Sequence, residues 1–126
     1  MKYSFLIADD SSGKIALLTS LLEKAHWNGT LYIAQTTKEA MDIIDLDPEI
    51  NFAFVDYYIP KENGPAVIAY LKKKNPAARI ALVSSGDNAK NNEEAKVAGA
   101  EAFICTSDEG DRVERVVMEL LDEWNP

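Results

Sequence analysis

Short apolar runs alternate five times with stretches of helical periodicity along this chain. The runs are Tyr3–Ala8, Thr30–Gln35, Asn51–Val55, Arg79–Ser84 and Ala102–Cys105. They are near-continuous rather than alternating, the pattern of parallel strands covered on both faces. The stretches between them predict helices over Ser12–Ala25, Lys38–Leu46, Pro65–Lys74, Asp87–Ala98 and Glu109–Trp124. The first helix carries Ile15, Leu18, Leu21, Leu22 and Ala25 on one stripe. The last carries Val113, Val116, Val117, Leu120, Leu121 and Trp124, a full amphipathic face. Thr36 and Glu39 have capping-box spacing, and Asn63 is placed to cap the third helix with Pro65 in its first turn. The fourth helix is weak. Its inward positions are mostly alanines and its sequence, NAKNNEEAK, is polar throughout, so it reads as loosely anchored and mobile.

Five βα units in a row imply right-handed crossovers and a doubly wound α/β sheet. The strand order 2-1-3-4-5 places the topological switch point between strands one and three, where open α/β sheets bind their ligands. The central layer is expected to bury Ile7, Val55, Val83 and Ile104. The 126 residues suffice for one domain and are too few for two, so residues 1–126 read as a single domain with no tail after Pro126.

Composition narrows the function classes. Thirteen basic against 21 acidic residues give a net charge of −8, which opposes binding to the phosphate backbone of nucleic acid. The basic clusters are short: Lys72-Lys73-Lys74, suited to a helix C-terminus, and Lys14 with Lys24. No apolar stretch is long enough for a membrane span, and Met1-Lys2-Tyr3 runs directly into a strand, so a cytoplasmic location is expected. The single cysteine, Cys105, excludes an internal disulfide and reads as a buried, inert thiol.

The candidate chemistry lies in three carboxylates. Asp9-Asp10 ends the first apolar run and Asp56 ends the third. Two parallel strands ending in acid bring these groups to one rim. They repel one another there unless a hard cation neutralises them, and oxygen ligands suit Mg²⁺. Competing motifs fail. Ser11-Ser12-Gly13-Lys14 hints at a P-loop, but Ala8 and Ile15 stand where that motif needs glycine and Ser or Thr. A haloacid-dehalogenase-like phosphatase would need an acid at Tyr58, and a flavodoxin would need a hydroxyl-rich loop at Asp9-Asp10. His26, beside a turn, reads as a surface residue.

In order and spacing, these pieces resemble a response-regulator receiver domain. The resemblance runs the whole length of the chain. It is carried by Asp9-Asp10, by Asp56 followed by Ile59-Pro60 and Asn63-Gly64, by Ser84-Ser85 after the fourth strand, and by Ala98-Gly99-Ala100-Glu101-Ala102-Phe103. It implies the flavodoxin-like form of the five-stranded parallel sheet and a stand-alone receiver in two-component phosphorelay signalling, without an output domain. Asp56 would accept the phosphoryl group. Mg²⁺ would be held by Asp10, Asp56 and the backbone carbonyl of Tyr58, with Asp9 acting through water. Ser84 would contact the phosphoryl group and Phe103 would be the switch aromatic. The partners implied are a sensor histidine kinase or phosphotransfer protein and a downstream protein engaged by the fourth-helix, fifth-strand, fifth-helix face. Enzymatic activity would extend at most to self-phosphorylation and self-dephosphorylation.

One position departs from the family. Thr106-Ser107 stands where receivers carry lysine and proline. Three carboxylates and one Mg²⁺ then leave about −1, where a lysine would bring the site to about zero. The expectation is a pocket without its cation, a trans Thr106–Ser107 bond and weak coupling of phosphorylation to Ser84 and Phe103. Lys61 and Lys90 read as solvated rather than as substitutes. The alternative function is a degenerate pseudo-receiver that binds partners without phosphorylation.

Overall fold

A computed structural model describes residues 3–86 and 88–124. Five strands and five helices alternate: β1 (Tyr3–Ala8), α1 (Ser12–Lys24), β2 (Gly29–Ala34), α2 (Thr37–Leu46), β3 (Phe52–Asp56), α3 (Gly64–Lys74), β4 (Arg79–Ser84), α4 (Ala89–Ala98), β5 (Ala102–Cys105) and α5 (Gly110–Trp124). The strands form one sheet in the order β2-β1-β3-β4-β5, every pair parallel. The expected fold is observed, with element ends displaced by a residue or two. Asp87, the expected start of the fourth helix, lies outside the described residues, as do Met1, Lys2, Asn125 and Pro126.

Strand residues alternate between two cores. Phe5, Ile7, Phe52, Phe54, Ala81, Val83 and Ile104 face α1 and α5, where they meet Leu18, Leu21, Leu22, Val113, Val117 and Leu121. Leu6, Ala8, Ala53, Val55, Ile80 and Leu82 face α2, α3 and α4. The first core is strongly aromatic. The rings of Phe5, Phe52, Phe54, Trp27 and Trp124 lie with centroids between 4.7 and 6.3 Å apart, in the range of favourable aromatic packing. Ile7, Val55, Val83 and Ile104 are all buried, as expected.

The caps follow the sequence. Thr36 Oγ1 accepts from Glu39 N–H at 3.0 Å, and Asn63 Oδ1 accepts from Ala66 N–H at 3.1 Å. Two readings need correction. β2 is not covered on both faces: as the sheet edge it leaves Leu31 and Ile33 exposed. Cys105 is half-buried rather than enclosed, with Sγ 3.2 Å from Ser107 Oγ, because β5 is the other edge. Among the described residues no helix is long and apolar enough to cross a membrane.

Candidate functional site

The register that pairs β1 with β3 sets Ala8 beside Val55, so Asp9, just past β1, and Asp56, the last residue of β3, come to the same rim. Asp9, Asp10 and Asp56 each present a carboxylate oxygen within 4.8 Å of the other two. Asp9 and Asp56 are 1% and 3% exposed, and Asp10 is open to solvent. Asp9 Oδ1 accepts from Ser11 N–H at 2.8 Å. Asp9 Oδ2 and Asp56 Oδ1 are buried and have no hydrogen-bond partner. Burial is the larger influence on both acids and raises their pKa above the ordinary 3.8. At Asp56 the neighbouring Asp9 and Asp10 add to that rise, and Lys14 opposes it.

Lys14 is the residue that the sequence reading missed. Its Nζ lies 3.0 Å from Asp56 Oδ1 and 3.5 Å from Asp9 Oδ2, with a side chain 18% exposed. Lys14 thus meets both carboxylates as an ion pair. The expectation of a pocket without a cation is therefore corrected: α1 supplies one. Lys61 and Lys90 are exposed, as read from the sequence. A signal for Lys14 was present. Ser11 caps α1, and helical Cα–Cβ bonds tilt toward the N-terminus, so a lysine three residues after the cap reaches back over the strand end.

The backbone around Asp56 is tightly built. A Cβ on Gly64 would lie 2.2 Å from the Asp56 carbonyl oxygen, so the loop after β3 can return this closely only with glycine there. Gly64 N–H donates to the Tyr57 carbonyl at 2.8 Å and seals that return.

Ser84 is buried at the end of β4, its Oγ accepting from Gly86 N–H at 3.3 Å. Thr106 does not aim its hydroxyl into the pocket. Oγ1 donates to the Ser84 carbonyl at 3.2 Å, beside the Thr106 N–H bond to the same oxygen at 2.8 Å. The Thr106–Ser107 bond is trans. Phe103 is 38% exposed and turned outward. A cleft of about 200 Å³ beside it is lined by Ser84, Gly86, Ile104 and Val113. The Tyr58 ring is 63% exposed, and its hydroxyl accepts from Asn91 Nδ2 at 3.3 Å. Tyr57 donates to Glu94 at 3.1 and 3.2 Å. The two residues after Asp56 thus both bond to α4.

Residues 5–114 match the family model described as the response regulator receiver domain. The chain belongs to the response-regulator receiver family. A two-component response regulator of rice (Oryza sativa subsp. japonica) is 26% identical over 78 residues, covering 62% of this chain and 36% of the rice protein. This receiver thus matches about a third of that relative's length. Among solved structures, the Mn²⁺-bound form of response regulator Rcp1 superposes with a TM-score of 0.82 at 17% identity, covering 97% of this chain and 94% of the other. The phosphorylated cyanobacterial phytochrome response regulator RcpA gives 0.84 at 15% identity, covering 98% and 94%. At these identities the superpositions establish the shared fold.

Proposed function

We propose that this receiver accepts a phosphoryl group on Asp56 and thereby alters the surface formed by α4, β5 and α5. The observation that carries the proposal is the pair of buried carboxylates whose oxygens Asp9 Oδ2 and Asp56 Oδ1 have no hydrogen-bond partner and share the single ammonium of Lys14. Burying ionised carboxylates without hydrogen bonds is costly, and a fold keeps such groups when a cation or a reaction uses them.

The donor set fits a hard divalent cation: carboxylate oxygens within 4.8 Å, one residue open to solvent and two buried. Asp10, Asp56 and the Tyr58 carbonyl would hold Mg²⁺, with Asp9 acting through water. Bound there, the ion would offset charge on the transferring phosphoryl group and orient it for in-line attack. A carboxylate oxygen of Asp56 attacks phosphorus as the bond from phosphorus to the donor breaks. The products are an acyl phosphate on Asp56 and a donor released with its electron pair. Ser84, at the end of the neighbouring strand β4, would donate from its hydroxyl to a phosphoryl oxygen, and Phe103, which lines the same cleft, would turn inward in response.

The donor proposed is a sensor histidine kinase or phosphotransfer protein, with a downstream protein reading the altered face. Intact-mass spectrometry after incubation with Mg²⁺ and a small acyl phosphate tests this directly. Wild type should gain one phosphoryl group and Asp56→Asn none. Failure of the wild type to gain mass would overturn the proposal.

A further inference from the structure

The first turn of a helix is an unfavourable place for a cation, because the macrodipole there is positive. α1 nevertheless places Lys14 in its first turn and no acid beside it. The side chain is largely withdrawn from solvent and its ammonium sits between two buried carboxylates, 3.0 and 3.5 Å away. These costs are offset only by the acidic pocket. Without Lys14, Asp9 Oδ2 and Asp56 Oδ1 would face each other with no partner at all.

We propose that Lys14 is the pocket's own counter-ion, and that its charge sets how weakly the pocket holds a divalent cation. The inference rests on the metal reading above. Three carboxylates and Lys14 sum to −2, so the metal-free pocket is partly neutralised by a cation that cannot diffuse away. A divalent ion bound to Asp56, at a metal–oxygen distance of about 2.1 Å, must approach to within roughly 5–7 Å of the ammonium or expel it. Even at the dielectric constant of bulk water, a unit charge at that range weakens binding of a divalent ion by about tenfold. Lys14 is thus a positioning residue. It holds Asp56 in place when metal is absent and keeps metal occupancy responsive to concentration.

The test is a Mg²⁺ titration at fixed low ionic strength, followed by amide chemical shifts around Asp56 and Ser84. Lys14→Met should bind Mg²⁺ about tenfold more tightly than wild type, while Lys14→Arg, which keeps the charge, should stay within about twofold. Lys24→Met is the control. It removes the same charge from the far end of α1, about 15 Å along the axis, where Lys24 pairs with Glu114, and it should leave the affinity unchanged. In EDTA, Lys14→Met should also melt several degrees below wild type. If that variant does not fold, Lys14→Gln offers the carboxylates an amide donor without the charge and should show the same tightening. Equal or weaker Mg²⁺ affinity in the neutral variants, with wild type binding normally, would overturn the role of Lys14 alone. No shift in wild type or in either neutral variant would overturn the metal reading together with this inference.

Discussion

Ionising Asp56 carries a cost that the metal-free fold does not fully offset. Burial raises its pKa and that of Asp9 above the ordinary 3.8, despite the opposing pull of Lys14. Between the ordinary and the raised value the folded state binds more protons than the unfolded chain. Stability is therefore highest below this window and falls as pH rises through it. In EDTA, Asp56→Asn should raise the melting temperature at neutral pH by a few degrees, and the gain should shrink as pH is lowered through the raised range, as the wild-type carboxylates take up protons. Thermal melts of both proteins across this range check it, and a variant that melts below wild type at neutral pH would show that the carboxylate is stabilising. Legibility divides sharply at this scale. Asp9, Asp10, Asp56 and Ser84 were readable because they terminate strands, and strand ends are marked by the apolar runs before them. Lys14 was not, because its role depends on where a flexible side chain points. Thr106 was flagged as anomalous, but its hydrogen bond to the Ser84 carbonyl is a cross-strand detail set by the β4–β5 register.

Among the elements, α4 is the one whose anchoring differs in kind. Its buried residues are Ala95 and Asn91, so little apolar area holds it to the sheet. In place of apolar contact it has polar ties to the two residues after Asp56: Tyr57 to Glu94 and Tyr58 to Asn91. Sequence periodicity exposed the weak apolar face of this helix but gave no sign of the ties, which pair residues more than thirty positions apart. A hydrogen bond to a charged group contributes about 1.5–3 kcal/mol when well buried, and one this exposed contributes nearer 1. Removing it with Tyr57→Phe should raise hydrogen exchange of residues 89–98 by roughly fivefold, leaving the protection of β1 and β3 unchanged. Uniform exchange across wild type and variant would mean that α4 is held by packing alone. The same bond keeps the Tyr57 phenol protonated beyond its ordinary range, through burial first and the Glu94 carboxylate second. The strand and helix assignments needed none of this. Their error lay at the edges, where β2 has an apolar sequence yet exposed side chains, because a run of apolar residues does not say which strands become outermost.

At the scale of the whole molecule, two cores clamp one sheet, and the charged rim is the place where that economy is broken. The strand order and both cores were legible, since parallel order and switch point follow from five consecutive βα units. A net charge of −8 makes the folded chain repel itself, so any salt should stabilise it by screening. A specific site would act in addition and by a different law. Binding to the folded state alone raises stability by about 1.4 kcal/mol at a ligand concentration ten times the dissociation constant, worth several degrees in a domain of this size. The two effects separate when ionic strength is held constant with NaCl while Mg²⁺ replaces part of it. Screening is then fixed, and the remaining rise in melting temperature reports the site. Wild type should show that rise. Asp56→Asn, which replaces one carboxylate oxygen with an amide nitrogen and removes a single charge from the site, should keep the NaCl response and lose the Mg²⁺ response. If Mg²⁺ gives wild type nothing beyond what matched NaCl gives, the acidic rim is a charged surface rather than a metal site. The three carboxylates would then need Lys14 alone to explain how the fold tolerates them.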